Sequence, residues 1–175
     1  MSTSNCNEHN VDKAERYTAN IARVKENGLE LAFIDEQTES LCEVALNQNG
    51  MALAYVKNKT VNLCLIALVN NGMAIQYIDK PRLMFVTTAL VQNGLAIRHI
   101  PRDTTYLKLL GMSPEDLTKM AVTQNGLALR DALVQTPEIC DIAVNNNSAA
   151  YKFVDLHHKC DRLYSKIFKK IAEML

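Results

Sequence analysis

The dipeptide Asn-Gly recurs along this 175-residue chain in one phase, and that recurrence constrains its fold more than any other feature. It stands at Asn27-Gly28, Asn49-Gly50, Asn71-Gly72, Asn93-Gly94 and Asn125-Gly126, with Asn147-Ser148 as a degenerate sixth copy. The glycines (or serine) are separated by 22, 22, 22, 32 and 22 residues. A fixed period of this size marks a repeat architecture, each unit being one supersecondary element. The longer interval means that ten additional residues have entered one unit, between Ile100 and Leu117.

Flanking positions keep the same phase. Five residues before the glycine stand Ala45, Ala67, Ala89, Ala121 and Ala143; one residue later come Leu46, Leu68, Leu90, Val122 and Val144. Three after it come Leu31, Leu53, Ile75, Ile97, Leu129 and Tyr151. The upstream half reads as an α-helix, because Leu41, Val44, Ala45 and Leu63, Ile66, Ala67 are spaced by three and four. Thr136-Pro137-Glu138 and Ser113-Pro114-Glu115 carry the start signal of a side-chain acceptor, a proline and an acid; Thr38 and Thr60 are simpler versions. The glycine is expected to end this helix in the left-handed conformation, with the asparagine bonding locally. A second helix of about two turns should follow, as over Met51 to Lys57 or Leu95 to Ile100. Asn-Gly also marks β-hairpins, but the helical spacing upstream decides against strands. No unit matches the leucine-rich repeat pattern, and a continuous helix would not keep glycine at its centre. One unit cannot bury its own apolar face, so the units must stack. The expectation is an all-α solenoid of about six short helical hairpins, with the recurrent alanine permitting close helix approach.

The unit A-[LV]-x-[QN]-N-G-[LM]-A-[LI]-x-[YFH]-[IV] fits Ala45–Val56, Ala67–Ile78, Ala89–Ile100 and most of Ala121–Leu129. It resembles an Ala-x-x-Asn-Gly-Leu-Ala helical repeat family, a domain of unknown function of giant DNA viruses and amoeba-associated intracellular bacteria. The resemblance spans about Tyr17 to Val154. It implies helical repeats and a viral or intracellular-pathogen setting, and it brings no catalytic residues. The first copy departs from the pattern with Arg23 for alanine and Glu30 for the second alanine; the sixth has Ser148 for glycine and Tyr151 for leucine. Both departures suit terminal caps.

Three segments are expected: a flexible tail over 1–12, the repeat domain over 13–154 with its insertion within 101–116, and a C-terminal amphipathic capping helix over 155–175. In that last segment Leu163, Ile167, Phe168, Ile171 and Met174 share one helical face, with Lys159, Arg162, Lys166, Lys169 and Lys170 largely elsewhere. Peripheral membrane association through this helix is the alternative reading. The balance of 19 basic and 19 acidic groups argues against nucleic acid as partner. The polar start from Met1 to Asn10 and the lack of a long apolar run predict a cytoplasmic protein, one that could also act after delivery into a host cytosol. Five cysteines (Cys6, Cys42, Cys64, Cys140, Cys160) with no CxxC pair fit reduced thiols.

Candidate chemistry is thin. Cys42, Cys64 and Cys140 all sit eight residues before the glycine position, as Val86 and Thr118 do, and read as small buried residues of one row. Phe33, Tyr55, Tyr77, His99 and Phe153 form a second row, five after it, expected in the core or along a groove. Cys6 with His9 and the run His157, His158, Cys160, Asp161 hold potential metal ligands but lack a second pair at ligand spacing. No nucleophile, phosphate-loop or metalloprotease motif is present. The reading is therefore non-catalytic, with no cofactor and no metal. An enzyme with a Cys/His site near the 103–115 insertion is its alternative.

A repeat row lines one surface of a solenoid and is the natural place for a protein partner. Four after the glycine the row runs Ala32, Ala54, Gln76, Arg98, Arg130, Lys152, turning basic toward the C-terminus. Glu26, Glu30, Asp35, Glu36, Glu39 and Glu43 make the other end acidic, while residues 152–175 carry six basic and three acidic groups. Insertions often lie on the binding face. Gln76, Arg98, Arg102, Tyr106, Arg130 and Lys152 are accordingly the candidate partner-binding residues of a virus or intracellular-bacterium effector or adaptor.

Overall fold

A computed structural model describes the backbone of residues 4–159 and the side chains of residues 13–159. It is an all-α repeat solenoid. The α-helices are α1 (Ser4–Glu26), α2 (Glu39–Gln48), α3 (Val61–Asn70), α4 (Leu83–Gln92), α5 (Thr104–Leu110), α6 (Pro114–Gln124) and α7 (Pro137–Asn146). Six 3-10 helices alternate with them: η1 (Gly28–Phe33), η2 (Gly50–Tyr55), η3 (Gly72–Tyr77), η4 (Gly94–His99), η5 (Gly126–Asp131) and η6 (Ser148–Phe153). Each α-helix packs on that of the next unit and each 3-10 helix on the next, giving two parallel rows. The core lies between them.

Thr38, Thr60 and Thr136 accept the backbone N–H three residues on, and Ser113 forms a reciprocal capping box with Asp116. The helix start signals thus act as read. α4 instead has Arg82 at its N-cap, which supplies no side-chain hydrogen bond.

At the other end of the α-helix a single asparagine turns the corner. Asn49 is extended (φ −149°, ψ 107°), its N–H closes α2 on the Ala45 carbonyl, and its side chain accepts the Met51 N–H at 3.0 Å. The same residue therefore ends one helix and caps the next. Two expectations are corrected here. The glycine is not left-handed: of the glycines only Gly111, outside the repeat phase, has positive φ. The second helix begins at the glycine itself and is a six-residue 3-10 helix. Gly50, Leu53 and Val56 are all buried, at intervals of three that superpose on one edge at 3.0 residues per turn.

The glycine is required by its neighbour. A Cβ on Gly28, Gly50, Gly72, Gly94 or Gly126 would collide with the carbonyl oxygen of Ala45, Ala67, Ala89, Ala121 or Ala143 in the following unit. Those five alanines are fully buried. The close approach is fastened by a side-chain amide. Gln48, Asn70, Gln92, Gln124 and Asn146 accept the glycine N–H across the unit boundary at 2.6–2.7 Å. Their NH2 groups donate to carbonyls at the end of the preceding α-helix, those of Glu26, Asn47, Asn70, Gln92 and Thr123. A glutamine reaches the carbonyl two before the glycine, and the shorter asparagine takes the one three before it.

The inserted residues leave this register intact. They form α5, capped by Asp103 and ended by Gly111, while α6 packs directly on α4. Leu107 enters the core and Leu109 stays 83% exposed.

The two departures of the first copy form a pair: Arg23 Nη2 lies 2.7 Å from Glu30 Oε2. Ser148 is exposed, whereas the five glycines in its phase are buried. Helix α1 begins at Ser4, within the segment 1–12. No proline or glycine interrupts the sequence before Gly28, so nothing there stops a polar helix from extending. The expected capping helix lies, beyond Lys159, outside the described residues, as do Cys160, Asp161 and the side chains of Cys6 and His9.

Candidate functional site

Stacking of the 3-10 helices brings their fifth residues, four after the glycine, into line. Gln76, Arg98, Arg130 and Lys152 are all exposed there, as the repeat phase predicts. The structure then gathers part of the row. Arg98 Nη2 lies 3.0 Å from Asp131 Oδ2 and Arg130 Nη2 lies 3.2 Å from the same oxygen. Arg102 Nη2, from the segment leading into the insertion, donates to the Asp131 backbone carbonyl at 3.1 Å. Two guanidinium groups meet the Asp131 carboxylate and a third meets its backbone carbonyl, so the three arginines and one aspartate carry a local excess of two positive charges.

The Asp131 carboxylate is the more shielded member, its side chain 21% exposed against 33% for Arg98 and 50% for Arg130. These contacts engage one nitrogen of each arginine. A guanidinium has five N–H donors in a planar fork that matches a carboxylate or phosphate. The cluster can therefore receive an anionic group while Asp131 holds the arginines together.

The other candidates are not part of it. Gln76 donates to the Met73 carbonyl of its own helix at 3.2 Å, one unit away. Lys152 Nζ lies over the Phe153 ring, 4.8 Å from its centroid. Tyr106 is half-buried and its hydroxyl donates to the Pro81 carbonyl, and burial pushes the phenol pKa up. Tyr106 thus ties the insertion to the stack rather than to the arginines.

Asp131 was missed in the sequence. Its signal is that it replaces an aromatic in the row Phe33, Tyr55, Tyr77, His99, Phe153. That row divides: Phe33 is 74% and Tyr55 45% exposed, whereas Tyr77 and Phe153 are half-buried against the core.

Cys42, Cys64 and Cys140 are buried and outside any disulfide. Burial, with the Glu39 carboxylate adding to it, raises the Cys42 thiol; burial raises that of Cys64 against the opposing charge of Lys59. Neither thiol is activated. Among the described residues no cluster of three or more His, Cys, Asp or Glu is placed to hold a metal ion. His158, in the helical segment 156–159 that follows η6, has its Nε2 2.9 Å from the Gln135 carbonyl.

The fold and its basic row define an α-helical repeat protein with an exposed arginine cluster. No protein-family profile, no curated protein and no solved structure matches the chain.

Proposed function

We propose that this chain is a non-catalytic α-helical repeat protein that captures a protein partner through acidic groups. The contact is the cluster of Arg98, Arg102 and Arg130. The observation that carries this reading is their convergence on Asp131, which fixes three otherwise flexible cations on an exposed face. Fixed, complementary charge speeds encounter and selects among partners. Within this proposal the protein acts as an effector or adaptor of a virus or intracellular bacterium in the cytoplasm of its host, the setting that the sequence resemblance implies.

Affinity capture from a eukaryotic lysate, read by mass spectrometry, tests it. The parent chain should retain a reproducible acidic protein that the Arg98→Glu/Arg130→Glu variant loses, at an unchanged melting temperature. Equal capture by both forms rejects the cluster as the contact.

A further inference from the structure

The row of α-helices carries a different surface. α3 and α4, in the middle of the row, contain no charged residue at all. Five of their exposed positions are apolar: Val69 and Val91 are 67% and 69% exposed, and Val61, Leu83 and Met84 are exposed as well, beside the uncharged Asn62, Asn70 and Gln92. Three grooves run between successive helices. Val69 lines both the α2–α3 and the α3–α4 groove, and Val91 both the α3–α4 and the α4–α6 groove, so the three form one channel across the row. The threonines in it are satisfied internally. Thr87, Thr88 and Thr123 donate to carbonyls of their own helices, and the charged side chains that line the channel are Asp116 and Lys119, at its α4–α6 end. A contiguous exposed apolar surface of this kind marks an interaction site.

Both flanks of the channel are acidic. On one side α2 carries Glu39 and Glu43, which accept hydrogen bonds from Thr60 and Asn62 at the start of α3. On the other, α6 carries Glu115 and Asp116, and α7 carries Glu138 and Asp141. Lys119 is the one cation on α2, α3, α4, α6 and α7, and it is paired with Glu138, whose hydrogen bond and charge raise the lysine pKa. An apolar strip between acidic flanks excludes a second copy of the same face by like-charge repulsion. It matches the opposite pattern.

We propose that this channel is a second docking surface, which takes a basic amphipathic α-helix from a partner protein. Recognition would follow the helix-in-groove mode, with apolar anchors spaced by three and four residues. Neighbouring helices pack about 8–10 Å apart. Crossing from α2 to α6 therefore covers roughly 24–30 Å, which a helix of about 18 residues spans. The surface is independent of the arginine cluster, which selects the opposite charge from the 3-10 row.

The test uses the full chain and two fluorescent helical peptides of about 18 residues. Both carry leucines on one face; one has lysines and the other glutamates on its flanks. Fluorescence anisotropy should show the lysine peptide binding about ten-fold or more tightly than the glutamate peptide, with the difference shrinking as salt rises. Val69→Asn/Val91→Asn, which removes the apolar anchors without adding charge, should weaken the lysine peptide about ten-fold at an unchanged melting temperature, since both valines are largely exposed. Glu43→Lys should shift preference toward the glutamate peptide, a readout that survives if the valine variant is destabilised. Arg98→Glu/Arg130→Glu should leave the lysine peptide unaffected. Equal binding of the two peptides, or undiminished binding by a folded valine variant, overturns the proposal.

Discussion

Gly94 meets the carbonyl of Ala121 across the ten inserted residues just as Gly72 meets that of Ala89 across an unbroken repeat. The contact is therefore a property of the stack, not of chain separation. It ties together the two most regular positions of the sequence, the glycine that cannot carry a side chain and the alanine whose helix must come close.

Substituting that glycine should be costly where a unit follows and nearly free where the equivalent residue is exposed. Gly72→Ala is expected to lose about 1–3 kcal/mol, the usual scale of forced overpacking. Ser148→Ala, at the exposed equivalent position, should stay within about 0.5 kcal/mol. Urea unfolding followed by circular dichroism measures both. Equal losses would contradict the crowding argument.

The amide clamps make a second expectation. Gln48→Ala removes the acceptor of the Gly28 N–H, 2.7 Å away, and the donor to the Glu26 carbonyl. The loss should be about 1–3 kcal/mol, as for a buried donor left without its partner. Gln48→Asn should recover most of it, because Asn70 and Asn146 already perform the same bridge with the shorter side chain. Paired chemical unfolding curves of the two variants decide the matter.

Asp131 both organises and offsets the arginines. Replacing it with asparagine should strengthen binding of an acidic probe, such as a fluorescent poly-glutamate peptide, while changing stability by no more than about 1 kcal/mol, because exposed ion pairs contribute little. The gain should fade as salt screens the cluster. Weaker binding in Asp131→Asn would mean that the orientation Asp131 imposes matters more than the charge it cancels.

The insertion is expected to be dispensable for folding. Removing residues 103–112 joins Arg102 to Ser113 and restores the 22-residue spacing. Since α6 already packs on α4, the shortened chain should still unfold cooperatively. The loss should come chiefly from Leu107, about 1.5–3 kcal/mol for a buried leucine. A thermal melt without a cooperative transition would assign α5 a necessary structural role.

Much of this was legible in the sequence, for identifiable reasons. Helix starts at Thr38, Thr60, Ser113 and Thr136, the alanine row and the buried cysteine row all depend on residues close in sequence or on phase. The 3-10 character of Gly50–Tyr55 was not, although Gly50, Leu53 and Val56 display its period. Over six residues, spacings of three satisfy both helix types, and the choice falls to packing on the neighbouring unit. The glycine's role was misassigned for the same reason: its cause is a carbonyl 17 residues further on in most units, as from Gly72 to Ala89, while the local rule points to a left-handed cap. At the candidate site the arginine row followed from phase. Asp131 did not, because a single departure from an aromatic row acquires meaning only when its three neighbours are seen to converge.

The central claim is that each 22-residue unit is an interchangeable layer. Removing one whole unit, residues 61–82, joins Thr60 to Leu83 and brings Gly50 opposite the Ala89 carbonyl. Urea unfolding of this chain, followed by far-ultraviolet circular dichroism, tests the claim most directly. A helical spectrum and a single cooperative transition at lower urea are expected, as for a stack with one fewer layer. A disordered spectrum, or a gradual loss of signal without a transition, would contradict it.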